Sequence, residues 1–282
     1  MKKLINLANF TQTIDKFNEE KESLEDFWKE NHEALLHNLI SKENIHELYN
    51  GSSSKALVDW YKKEFEIAKS LNVRYMVMHI ADMDIHDIYT GDYRYTDEEI
   101  VSCAVDLINQ AFTKDSDILL LFENMWGPGI RFDKPDLMRQ IYEKVNYKNK
   151  GFLFDLSHFA LSQNDVYSLD ELKSSINTAL NQMGELRKYI YGMHVSACSL
   201  GNSVEKMREG FDYKSPVLSS SLEDRYIHNL TTVGKLDMHR PFEDEILKDI
   251  IDIISPEFIV YEFLYQSKDI LSDWIKTQNS YL

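Results

Sequence analysis

Residues 151–160 read GFLFDLSHFA. The run Phe152-Leu153-Phe154 is short, apolar and rich in aromatics, the pattern of a parallel strand buried on both faces. Chemistry begins where that run ends, at Asp155 and then His158. A carboxylate and an imidazole three residues apart, just past a buried strand, can face one mouth. Strand ends of that kind are where α/β barrels and open α/β sheets hold ligands. Taken alone, the stretch reads equally well as a strand that ends in a polar loop; its neighbours decide.

On the N-terminal side, Lys134–Val145 reads as a helix with Pro135 in its first turn. Asp117–Glu123 (DILLLFE) reads as a strand. Thr96–Phe112 reads as a helix opened by TDEE, a capping box in which Thr96 caps and Glu99 answers. Val73–Ile80 (VRYMVMHI) is again a strand. On the C-terminal side, a helix over Ser168–Leu186 precedes a strand at Tyr189–Val195 (YIYGMHV). A polar insertion, 199–235, comes next. A helix over Glu243–Ile254, a strand at Phe258–Phe263 (FIVYEF) and a closing helix over Gln266–Thr277 complete the chain. Strands alternating with helices predict a parallel sheet. The first part of the chain differs. Lys3–Phe10 reads as a first strand, but Asn18–Asn31, Glu33–Tyr49 and Ser54–Leu71 carry helical spacing, with NGSSS (50–54) as a turn and cap. No strand is predicted between Phe10 and Val73. Without repeats, low-complexity tracts or linkers, 1–282 reads as a single domain.

Bulk properties narrow the function. A chain of 282 residues suffices for one large α/β domain. Its formal charge of −16 repels phosphate backbones, so nucleic acid is disfavoured as a partner. The pairs Lys62-Lys63 and Lys148–Lys150 read as solvated faces. Two distant cysteines, Cys103 and Cys198, offer neither a disulfide framework nor a thiolate zinc site. The segment MKKLINLANFTQT is too polar for a signal peptide, and no apolar stretch is long enough to span a bilayer. The expectation is a cytoplasmic protein without a membrane partner.

Strand after strand ends in a metal-ligating side chain: His79, Glu123, Asp155 with His158, His194 and Glu262. Asp237 and His239 add a D-x-H pair before the Glu243–Ile254 helix. A single polar strand end means little, but a succession of them converges on one mouth. That many carboxylates repel one another without a cation. Mixed imidazole and carboxylate donors suit zinc, manganese or a similar divalent ion.

In order and spacing, the His79 strand, ENMWGPG (123–129), DLSH (155–158), GMHVSA (192–197), LDMHRPF (236–242) and VYEF (260–263) resemble the apurinic-endonuclease family 2 group, the xylose isomerase-like metal barrels. The resemblance runs from about Val73 onward. It implies a (β/α)8 barrel with divalent metals (zinc, manganese or magnesium) at its C-terminal mouth. It implies a central metal site of Glu123, Asp155, His194 and Glu262. His158, Asp237 and His239 resemble the additional site of the endonuclease-like branch. His79 resembles a ligand of the remaining site, with Glu123 bridging. The chain departs from the family where strands two and three, and a histidine ending the third, belong. His32, His37 and His46 fall in helical segments there and are given no such role. The expectation is a partial TIM-barrel-like α/β fold of about six parallel strands, lacking the equivalents of strands 2 and 3, with N-terminal helices. The edges at the gap need cover. Either the acidic helices (19–49) with Trp28, Trp60 and Tyr61 supply it, or a homodimer forms through the gap.

Three functions follow from the resemblance. A sugar or sugar-phosphate isomerase or epimerase needs only the central quartet, with Glu123 and Glu262 as catalytic proton shuttles. An apurinic-endonuclease-like zinc phosphodiester hydrolase would use the extra His158, Asp237 and His239. A catalytically inactive family member would retain only the fold and metal. Charge and the missing histidine favour the first, with a small sugar or sugar phosphate as partner.

Overall fold

The computed structural model describes residues 2–4, 54–83, 85–210, 228, 231–265 and 267–282. Its strands are β1 (Lys2–Leu4), β2 (Tyr75–His79), β3 (Leu119–Glu123), β4 (Lys150–Asp155), β5 (Ile190–Val195) and β6 (Phe258–Tyr261). They form one all-parallel sheet in the order β1-β6-β5-β4-β3-β2. The helices are α1 (Ser54–Ser70), α2 (Ile85–Thr90), α3 (Asp97–Ala111), α4 (Pro135–Lys144), α5 (Leu156–Leu161), α6 (Leu169–Met183), α7 (Ser203–Glu209), α8 (Ile246–Ile254) and α9 (Lys268–Ser280). The capping box expected before α3 is present: Glu99 N–H donates to Thr96 Oγ1 at 3.2 Å, and Thr96 N–H to Glu99 Oε2 at 2.9 Å. Three short helices, α2, α5 and α7, were not legible; six or seven residues are too few to show a helical period.

The two faces of the sheet do different work. Met76, Met78, Phe122, Phe154, Val195 and Ile259 point outward into the main core beneath the helices. Leu121, Leu153, Phe258 and Val260 point inward, with Tyr75 and Val77 beside them. Successive side chains alternate across a strand. The inward phase of Tyr75 and Val77 therefore delivers His79, that of Leu121 delivers Glu123, and that of Leu153 delivers Asp155. On β5 a register irregularity, where Phe152 opposes Ile190 but Leu153 opposes Gly192, sets Gly192 and His194 inward. Gly192 has no side chain because a Cβ there would lie 2.6 Å from the Phe258 ring.

The sheet curls strongly. β2 and β6 are not neighbours, yet Tyr75 stacks on Phe258 with ring centroids 4.8 Å apart. Arg74 Nη2 likewise lies 3.3 Å from Glu257 Oε2. The molecule is thus a partial TIM-barrel-like fold with its interior filled by side chains. Among the described residues β1 and β2 do not pair, so the break lies between them, in the interval where the family's second and third strands belong. The expected helices over Asn18–Asn31 and Glu33–Tyr49, Trp28, and the remainder of the Lys3–Phe10 strand lie outside the described residues. Of the other proposed covers, Tyr61 packs against Phe112, with centroids 6.4 Å apart. Among the described residues no helix is long and apolar enough to cross a membrane.

Candidate metal centre

The D-x-x-H spacing of DLSH is a helix cap. Asp155 ends β4 in an extended conformation and serves as N-cap of α5, where its Oδ1 accepts the His158 N–H at 2.6 Å. The cap turns His158 back toward the carboxylate that precedes it. Asn124, next to Glu123, fixes the same segment from the neighbouring strand. Its Nδ2 donates to the Asp155 carbonyl at 3.1 Å and its Oδ1 accepts the Asp155 N–H at 2.8 Å. One buried carboxamide thus ties β4 to β3 at the level of the site.

Three carboxylates crowd one imidazole nitrogen. His194 Nδ1 lies 3.0 Å from Glu123 Oε1, 3.2 Å from Glu262 Oε2 and 3.6 Å from Asp155 Oδ2. A ring nitrogen carries one proton and cannot serve all three. Each of the four residues offers one ligand atom, and these atoms lie within 4.8 Å of one another. Glu123, Asp155 and His194 are buried, while the Glu262 side chain keeps 14% of its surface exposed. Two buried polar atoms, Glu123 Oε2 and His194 Nε2, make no hydrogen bond. His79 Nε2 stands 3.0 Å from that Glu123 oxygen as an ion-pair contact outside hydrogen-bond geometry. A concentration of buried, incompletely satisfied carboxylates is what a cation relieves, and the donor set fits a divalent ion.

Electrostatics agree. Burial pushes the Asp155 carboxyl up, and the negative Glu123 and Glu262 add to the rise. Burial also opposes ionisation of Glu123, but His194 and His79 hold it well below the usual carboxylate range. Glu262 is likewise lowered by His194 against its burial. His194 pays the desolvation penalty of burial and is still raised well above an ordinary histidine, by Glu262 and Glu123.

His158, Asp237 and His239 form an adjoining group. His158 Nε2 is 3.3 Å and His239 Nε2 3.0 Å from the same atom, Asp237 Oδ2. Each ring has its Nδ1 at a backbone carbonyl, that of Asn124 at 2.9 Å for His158 and that of Glu262 at 3.1 Å for His239. A carbonyl only accepts, so each Nδ1 carries the proton and each Nε2 is turned to the carboxylate. An Nδ1–H fixed on a carbonyl is the usual way a ligating histidine is oriented. Asp237 Oδ1 accepts from Ser157 Oγ at 2.6 Å and more distantly from Ser196 Oγ at 3.4 Å. Asp237 therefore pairs with His158, His239 and Ser157.

All eight sequence-predicted residues come to one rim. His79, Glu123, Asp155, His194 and Glu262 meet at the sheet mouth, and His158, Asp237 and His239 stand beside them. Asn124 and the serines Ser157 and Ser196 were not singled out as partners. All three lie inside the quoted motifs, which was the available signal. Trp126 packs with Met83, Ile88, Tyr89 and Leu161 in a small apolar cluster of the mouth loops.

A curled parallel sheet with acids and imidazoles gathered at its C-terminal rim defines a TIM-barrel-like class with a candidate metal site. The chain belongs to the xylose isomerase-like TIM barrel family, whose model matches residues 13–244. No curated protein matches it. Among solved structures, 3-keto-D-glucoside 4-epimerase from E. coli is similar at 11% identity and TM-score 0.47, over 100% of this chain and 98% of that one. Endonuclease IV from Thermus thermophilus is similar at 13% identity and TM-score 0.44, over 99% and 96%. IolI protein with a bound zinc atom is similar at 16% identity and TM-score 0.46, over 95% and 84%.

Proposed function

We propose that this chain is a divalent-metal-dependent isomerase or epimerase of a small sugar or sugar phosphate. The observation that carries the reading is the convergence of Glu123, Asp155, His194 and Glu262 within 4.8 Å. These four residues would hold a zinc, manganese or magnesium ion, which would supply Lewis-acid polarisation of a substrate oxygen. Glu262, the most exposed of the three carboxylates, meets the substrate and takes a proton from the carbon beside its carbonyl. Glu262 then returns that proton, after exchange with solvent, to the neighbouring carbon, while Glu123, held ionised by His194 and His79, completes the cluster. Asn124 holds Asp155 in place, and the buried walls exclude bulk water. A surface of −16 tolerates a small sugar but repels a polyanionic duplex.

A second cation at His158, Asp237 and His239 belongs to the same proposal. It is supported by the two Nε2 atoms that meet at one Asp237 oxygen. That group is also what favours the other reading, a zinc phosphodiester hydrolase. The two are separated by incubating metal-loaded protein with a panel of ketoses and ketose phosphates in heavy water. Deuterium entering at the carbon beside the carbonyl is expected. Nicking of abasic DNA with no deuterium entry in any sugar overturns the isomerase in favour of the hydrolase.

Metal binding is expected to expel protons. His194 is raised well above an ordinary histidine in the metal-free protein, so it holds two ring protons at neutral pH and must lose one to become a ligand. Calorimetry at pH 7 in buffers of different ionisation enthalpy is expected to show release of about one proton per ion at this site. Apparent affinity should fall as pH is lowered. A buffer-independent enthalpy contradicts the assignment of His194.

A further inference from the structure

The C-terminal helix α9 buries a single residue, and it is a glutamine. Gln278 is fully buried, in the one position of the helix where an apolar side chain is expected. Its carboxamide clamps one residue of another segment at two points. Oε1 accepts the Phe242 N–H at 2.8 Å, and Nε2 donates to the Phe242 carbonyl at 3.2 Å. Phe242 ends the LDMHRPF stretch that carries Asp237 and His239.

That stretch needs holding. His239 has φ of +44°, a left-handed conformation that a side chain other than glycine adopts only under constraint. The backbone before Phe242 is fixed on two sides. Met238 N–H donates to the Ala197 carbonyl at 3.0 Å, Ala197 N–H to the Arg240 carbonyl at 2.8 Å, and Leu264 N–H to the His239 carbonyl at 2.9 Å. Pro241 has no N–H, so Phe242 is the next residue able to anchor the turn in both senses, and Gln278 takes both of its groups.

We infer that Gln278 is a positioning residue for the Asp237–His239 arm: through its two-point clamp on Phe242, the C-terminal helix holds His239 Nε2 in place for the second cation. The inference rests on the second-cation part of the proposed function. The test uses the full chain and Gln278→Met, which fills the same volume without a carboxamide. Cobalt(II) is titrated by its visible absorption, and exchange of the His239 Nδ1 proton is followed by NMR without metal. The expected result is an unchanged first equivalent, a second weakened at least about tenfold, and faster exchange at His239. An unchanged second equivalent with unchanged exchange overturns the inference, as does equal weakening of both equivalents. A single equivalent in the unaltered protein, with faster His239 exchange in the variant, overturns the second cation but upholds the clamp. Should Gln278→Met not fold, Gln278→Glu, which keeps only the acceptor, is read in the same way.

Discussion

Glu123→Ala is expected to lose the metal equivalent held by the Glu123, Asp155, His194 and Glu262 quartet, with affinity there falling roughly a hundredfold or more. Loss of an outer residue that merely orients a ligand already costs about 10- to 100-fold. Glu123 lies deeper in the centre than that: its Oε1 is 3.0 Å from His194 Nδ1 and 3.6 Å from His158 Nδ1, and its Oε2 faces His79. Metal that binds only the folded chain stabilises it by about 4 kcal/mol at a thousandfold excess over Kd. The unaltered protein should therefore melt at higher temperature when metal is added, whereas Glu123→Ala should lose the part of that gain that the central site supplies. Glu262→Ala should behave in the same direction. Metal content by elemental analysis and thermal melts with and without metal check both variants. Retention by both variants of every equivalent that the unaltered protein binds removes these carboxylates from the centre.

Gly129→Ala is expected to be the most damaging change of a single methyl group in the mouth loops. A Cβ at residue 129 would lie 1.9 Å from the Ile80 carbonyl oxygen and 2.8 Å from Ala81 Cα. The obstacle is backbone, which cannot swing aside, and φ there is +133°. The close approach exists because Ile130 N–H donates to that Ile80 carbonyl at 3.0 Å and Gly129 bridges Ala81. These contacts bind the loop after Glu123 to the chain just past His79. Overpacking costs about 1–3 kcal/mol, and the disfavoured φ adds of order 1–3 kcal/mol. A total near 3 kcal/mol lowers the melting temperature by about 5 °C in a protein of this size. A melt within about a degree of the unaltered protein, on the same scale, shows that the loop does not sit against Ile80.

Much of this architecture could be read from residues because two simple periods control it. Short apolar runs separated by amphipathic helices announce a parallel sheet, and the alternation of side chains along a strand puts every second residue inside. His79, Glu123 and Asp155 are inward by that count alone, and the capping geometry of Asp155 explains why His158 follows at its distance. Other features depend on contacts between distant segments. The register irregularity at Leu153 and Gly192, which sets His194 inward, has no sequence signature. Nor has the choice of partners for Asp237, which takes His158 and Ser157 from a distant segment. Gln278 lies in a helix of ordinary composition, and nothing but the position of Phe242 in space makes it more than a surface glutamine. The stacking of Tyr75 on Phe258 follows from the curl of the sheet, which the count of strands does not determine.

Diffraction from crystals soaked in manganese or zinc, recorded at the absorption edge of the metal, tests the central claim most directly. The account predicts an anomalous peak enclosed by Glu123, Asp155, His194 and Glu262. Well-ordered crystals with no peak at that rim, or with metal held elsewhere on the chain, contradict it.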